Sequence, residues 1–139
     1  GAMKIDGTCH CGALSYEADI DPANVLACHC EDCQSISGAP FRWTVNVPEE
    51  NFKLLSGTPK AYVKIGESGR ASRQLFCPDC ASPLYAMADG DGPKVLRLRL
   101  GTCRQRAALV PRLEVWRRSA QSWLTIDGDT TKIAKQPKL

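Results

Sequence analysis

The chain of 139 residues carries a net charge of +3, with 43% apolar and 24% charged residues. That balance is ordinary for one soluble globular domain, and the charge is too small to argue for a nucleic-acid partner. No apolar run is long enough to span a membrane, and no low-complexity tract, repeat or linker divides the chain, so a single domain over residues 3–131 is expected.

Gly1-Ala2 ahead of Met3 reads as a cloning scar, with no charged-then-apolar signal pattern after it. The first periodic segment is Ala13–Asp19, with Leu14, Tyr16 and Ala18 opposite Ser15, Glu17 and Asp19. Ala23–Ala27 is a short strand candidate, and a helical turn is expected from Glu31 toward Ile36. Phe41–Val47 alternates again, with Phe41, Trp43, Val45 and Val47 on one face and Arg42, Thr44 and Asn46 on a solvated one. Phe52–Leu55, Ala61–Ile65, Gln74–Phe76 and Leu84–Met87 follow. Lys94–Leu100 repeats the pattern with Leu96, Leu98 and Leu100, and a helical turn over Arg104–Leu109 precedes a last strand at Leu113–Arg117. Turn signals separate these segments, among them Ser56-Gly57-Thr58-Pro59 and Asp89-Gly90-Asp91-Gly92-Pro93. Many short strands at this spacing predict a mainly β domain. The segment 132–139 is expected to be a loose tail.

Seven of the eight cysteines fall in short clusters: Cys9-His10-Cys11, Cys28-His29-Cys30-Glu31-Asp32-Cys33 and Cys77-Pro78-Asp79-Cys80. Neighbouring cysteines are badly placed to bridge one another but well placed to converge on a soft cation. Without a secretion signal, such clusters favour zinc in a reducing, cytoplasmic setting over a disulfide framework. Seven thiols divide naturally into a closed set of four and an open set of three. Knuckles from distant strand ends would pair Cys9 and Cys11 with Cys77 and Cys80, leaving Cys28, Cys30 and Cys33. Spacing alone does not force that partition; four of the first five cysteines is equally legal. Cys103 reads as a small buried hydrophobe.

Four stretches resemble the glutathione-dependent formaldehyde-activating enzyme (Gfa) family, which includes relatives of centromere protein V. They are Gly7-Thr8-Cys9-His10-Cys11-Gly12-Ala13-Leu14; Cys28 to Cys33 with Ser37-Gly38-Ala39-Pro40-Phe41; Phe76-Cys77-Pro78-Asp79-Cys80-Ala81-Ser82-Pro83-Leu84-Tyr85; and Trp116 with Ser122-Trp123-Leu124-Thr125-Ile126-Asp127-Gly128. The resemblance implies a Mss4-like β-tent of short antiparallel strands with zinc knuckles and two zinc ions per chain. It implies a structural zinc on Cys9, Cys11, Cys77 and Cys80 and a catalytic zinc on Cys28, Cys30 and Cys33. The activity implied is a carbon–sulfur lyase type of reaction, S-(hydroxymethyl)glutathione synthesis, with glutathione or a related thiol and an aldehyde as partners. Two positions depart from the family pattern: Ala81 stands for a knuckle glycine, and Glu114 for a histidine. A rival reading from another class is a zinc-ribbon-like binding module whose metals are purely structural.

His10 and His29 each lie between two candidate ligands, and the expected role of each is an outward side chain or a supporting hydrogen bond. Arg42, on the polar face of a strand close to the open site, is expected to be solvated, the alternative being a contact with a substrate carboxylate. Arg97, Arg99 and the pair Arg117-Arg118 are expected either to meet substrate carboxylates or to coat the sheet. Trp43, Trp116 and Trp123 are expected in the core or in a pocket wall.

Overall fold

The computed structural model describes residues 1–128 and 130–136. Eleven strands form among them: β1 (Met3–Thr8), β2 (Ser15–Ile20), β3 (Val25–Cys28), β4 (Arg42–Pro48), β5 (Phe52–Ser56), β6 (Lys60–Ile65), β7 (Ala71–Phe76), β8 (Pro83–Ala88), β9 (Val95–Arg99), β10 (Leu113–Val115) and β11 (Thr131–Lys132). A single α-helix among the described residues, α1 (Glu31–Ser37), follows β3. One sheet has the order β1-β2-β5, and the other β11-β10-β3-β4-β9-β8-β7-β6. The expected mainly β class of short antiparallel strands and cysteine knuckles is what forms.

Period-two patterning decides which faces meet. Tyr16, Ala18 and Ile20 point from β2 toward Val45 and Val47 of β4 and Leu96 and Leu98 of β9, and all are buried in one cluster between the sheets. Each buried Val, Leu or Ile among them contributes roughly 1.5–3 kcal/mol by leaving water. Phe52 bridges the layers, its ring 5.6 Å from Tyr16 and 5.0 Å from Tyr85. Cys103 sits at 0% exposure in the same cluster, as a small hydrophobe would.

Several expectations shift. β1 is absent from the expected strands, although Met3 and Ile5 alternate with Lys4 and Asp6, and it pairs with β2 along its whole length. The turn expected over Arg104–Leu109 is a 3₁₀ turn at Arg106–Ala108. The strand expected over Leu113–Arg117 stops at Val115, because Trp116 turns to a left-handed φ of 58°. β10 pairs parallel with both β3 and β11. Part of the expected tail is therefore tied down: Ile133 N–H donates to the Glu114 carbonyl at 2.8 Å, and the carbonyls of Ile133 and Lys135 accept from Arg117 and Trp116. Residues 137–139 lie outside the described residues.

The outer face of β4 is not solvated as its polarity predicts. Arg42 is 5% exposed and Thr44 1%. The cause is curvature. Five strand positions separate β3 from β6, about 24 Å in a flat sheet. Even so, Lys64 of β6 lies 3.4 Å from Asp32 of α1. The sheet curls until its edge closes over that face.

Candidate metal centres

The first cluster is built by two loops. The loop after β1 supplies Cys9 and Cys11, and the loop after β7 supplies Cys77 and Cys80. The four sulfurs all lie within 4.8 Å of one another. Cys11 Sγ is 3.7 Å from both Cys9 Sγ and Cys77 Sγ. Four ligands 2.3 Å from a tetrahedral centre stand about 3.8 Å apart, so the donor set fits a zinc-sized ion. Backbone geometry holds it: Leu14 N–H donates to Cys9 Sγ at 3.2 Å, Gly12 N–H to the Cys9 carbonyl, and Ala81 N–H to the Cys77 carbonyl. The second knuckle closes through Ala81 at φ 65°, where the family pattern has glycine. Ser82 hydrogen-bonds Cys80 Sγ at 3.2 Å and pulls that thiol down to about 5.

The second cluster comes from one loop. β3 ends at Cys28, and Cys30 caps α1 by accepting the Cys33 N–H at 3.2 Å. That brings the Cys28, Cys30 and Cys33 sulfurs within 4.8 Å of one another, with no fourth His, Cys, Asp or Glu among the described residues joining them. Cys28 and Cys30 remain half-buried and Cys33 is buried. Hydrogen bonds from Cys28 and Cys33 draw Cys30 far below an ordinary thiol, and the contact with Cys30 pushes Cys28 up.

The residues around this loop explain its shape. His29 is fully buried; its N–H donates to the Val115 carbonyl at 3.0 Å and its Nε2 lies 2.9 Å from Glu114 Oε1. The carboxylate can only accept, so Nε2 carries the hydrogen. Glu114, at 0% exposure, also meets Arg117, Thr130 and Lys132. Gln34 of α1 donates to the carbonyls of His29 and Ser119, and accepts from Gln121. His10, by contrast, is exposed. Sequence reasoning missed the Glu114 and Gln34 contacts, since the partners lie about 85 residues apart.

Arg42 corrects its expected solvation. It faces the same side as Cys28 across the β3–β4 ladder and lines a cleft of about 660 Å³ together with Phe41, Trp43, Arg99 and Arg106. None of the three loop cysteines lines that cleft; Arg42 and Arg99 line it and stand on the face of the sheet that Cys28 shares. Arg99 is 7% exposed and donates to Gln74 Oε1 and the Arg97 carbonyl. Burial, then the nearby Arg42 charge, lowers the affinity of both Arg97 and Arg99 for their protons, while the Cys33 and Cys28 thiols pull the other way. Trp43 packs against the core, Trp116 is half-buried, and Trp123 is 70% exposed as the wall of a shallow cleft beside α1.

Fold and geometry define a mainly β domain carrying two convergent thiol clusters that could each hold a metal ion. The model of the glutathione-dependent formaldehyde-activating enzyme family matches residues 4–119, and the chain belongs to that family. An "uncharacterized lyase" of Schizosaccharomyces pombe is 28% identical over 97 residues, 65% of this chain. The chain spans 63% of the length of that relative. A solved Rhodobacter sphaeroides protein shares the fold at a TM-score of 0.54 and 18% identity, over 70% of this chain and 85% of that one.

Proposed function

We propose that the chain is a zinc-dependent enzyme of carbon–sulfur lyase type that joins glutathione, or a related thiol, to formaldehyde or another small aldehyde. Cys9, Cys11, Cys77 and Cys80 hold a structural zinc in this reading, and Cys28, Cys30 and Cys33 a catalytic one. The observation that carries it is the division into four sulfurs and three, the three having no further described protein ligand. Family membership and the lyase relative support the reaction class.

A zinc ion held by three thiolates supplies acidification of an incoming thiol and polarisation of a carbonyl. In the reaction a carbon–sulfur bond forms between thiol and aldehyde, and the thiol proton passes to the carbonyl oxygen. The chain's own residues prepare for this. Three thiolates on a dication leave a net charge of −1, which alone would blunt acidity; Arg42, Arg97 and Arg99 face Cys28 and Cys33 and offset it. His29, pinned to Glu114, fixes the backbone between Cys28 and Cys30. Phe41 packs against His29, its ring 5.6 Å from the His29 ring. A reducing, cytoplasmic setting would keep the thiols available.

Metal analysis of the purified chain should give two zinc ions. After cobalt substitution, added glutathione should change the sulfur-to-cobalt absorption of one ion and not the other. Two bound metals with no response to saturating thiol would replace this reading by a binding module with structural metals.

A further inference from the structure

The long sheet ends on β6, and no described segment pairs with its free edge. Three apolar side chains crowd that strand at high exposure: Tyr62 at 57%, Val63 at 47% and Ile65 at 64%. An unpaired apolar strand is a template for another strand, and folded proteins ordinarily blunt it with charge, proline or a bulge. β6 has no proline, and it pairs with β7 from Lys60 to Ile65 without a break in register. Its central charge is diverted, because Lys64 Nζ lies 3.4 Å from Asp32 Oδ2 of the same chain. The other end of the sheet offers nothing comparable, since β11 is two residues long.

The hydrogen-bond phase of the hairpin fixes which residues face outward. Gly66 N–H donates to the Arg70 carbonyl at 2.9 Å. By the alternation of an antiparallel ladder, Lys64 and Tyr62 then also turn their backbone groups toward β7. Ala71, opposite Ile65, agrees: its carbonyl accepts from Asp89 on the side away from β6. Ala61, Val63 and Ile65 therefore hold their N–H and C=O groups outward, without partners in the sheet.

We propose that two copies of this chain associate through β6, antiparallel, about a two-fold axis at Val63. That centre satisfies backbone and side chains together. It sets Val63 against Val63 and Ala61 against Ile65, each a hydrogen-bonded pair, with apolar side chains opposed along one face. On the other face Tyr62 of one copy stands opposite Lys64 of the other, an aromatic ring beside a cation. Lys60 falls opposite Gly66 and next to Glu67, so unlike charges meet at both ends. A centre at Tyr62 would instead set Lys60 against Lys64 and face already bonded groups toward the partner. Centres at Ala61 or Ile65 leave part of the strand unpaired. The association is independent of the reaction proposed above, but it reaches the same place. Lys64 meets Asp32 between Cys30 and Cys33, so each copy sets Tyr62 beside the other's three-sulfur loop.

Sedimentation velocity of the metal-loaded chain from about 1 to 500 µM should show monomer passing reversibly to dimer, as a small one-strand interface would. Val63→Glu sets two like charges against each other at the axis and should weaken the dimer by about tenfold or more. Val63→Pro, whose missing N–H faces outward in the monomer, should do the same while leaving the β6–β7 ladder intact. A third readout needs no variant. In the natural protein, amide exchange at Ala61, Val63 and Ile65 should slow as concentration rises, while Tyr62 and Lys64, already bonded to β7, keep their rates. A chain that stays monomeric up to about 500 µM overturns the proposal and leaves the edge to a strand of another protein. A dimer indifferent to both Val63 substitutions, or protection without that alternation, overturns it equally.

Discussion

His29 Nε2 and Glu114 Oε1 lie 2.9 Å apart, both side chains at 0% exposure, with the histidine seated between two sulfur donors and the glutamate on the strand behind them. The pair joins the thiol loop to the C-terminal segment, because the same carboxylate accepts from Thr130 and approaches Lys132. Glu114→Ala should therefore cost about 3–5 kcal/mol, since it strands the fully buried His29 donor and removes the acceptor of Thr130 and Arg117. Glu114→Gln, which keeps an acceptor, should cost less than half of that. Denaturant unfolding of the metal-loaded protein measures both, and equal losses would show that the carboxylate matters only as volume.

The same residue has a pH signature. Burial alone would raise the Glu114 carboxyl, but hydrogen bonds from Thr130 and His29 outweigh it and hold the group below the usual 4.5. A depressed value in the folded state adds stability that is fully present above the unfolded value and fades as pH falls through the folded one. The advantage of the natural protein over Glu114→Gln should be flat above about 4.5 and shrink below it. A gap that widens on acidification contradicts the assignment.

Ala81 holds φ at 65° while its N–H caps the Cys77 carbonyl at 2.8 Å. A left-handed backbone costs a residue with a Cβ roughly 1–2 kcal/mol, and glycine avoids it at some loss of unfolded-state order. Ala81→Gly should raise stability by about 0.5–1 kcal/mol, read as a higher urea midpoint at unchanged metal content. A lower midpoint would mean that the turn is unstrained.

The two thiol clusters should fail differently. Cys77→Ser removes a fully buried sulfur that ties two distant loops together, and loss of its metal should abolish cooperative unfolding. Cys30→Ser removes a half-buried sulfur from a loop already pinned by His29 and Gln34, so the fold should survive with one metal fewer. Native mass spectrometry with circular dichroism distinguishes the two outcomes.

Gly7 shows how tightly β1 meets its neighbours. A Cβ there would stand 2.3 Å from the Thr102 carbonyl oxygen and 2.5 Å from the Tyr16 hydroxyl. Neither can retreat easily, since Tyr16 is at 0% exposure and bonded to Thr102. Gly7→Ala should cost about 1–3 kcal/mol, as overpacked cores do, and thermal unfolding checks it.

The mainly β class and the existence of two thiol clusters are both legible along the chain before it folds. Strand alternation and ligand spacing are local, and a C-x-C or C-x-x-C knuckle aims its sulfurs together whatever surrounds it. Even the partition into four and three was legible as the natural count, although only folding could choose it, because Cys9 and Cys77 come from loops 68 positions apart in the chain. The fate of the polar residues depends on long-range packing. Arg42, Thr44 and Asn46 read as a solvated face, since polarity on an alternating strand ordinarily points to water. Sheet curvature, fixed by the sum of many twists and closed by Lys64 on Asp32, covers them instead. Glu114 likewise reads as a mere departure from a family pattern until β10 lies parallel to β3 and sets it against His29. What a burial-driven fold does with a charge depends on which distant strand arrives beside it, and no short window of sequence holds that information.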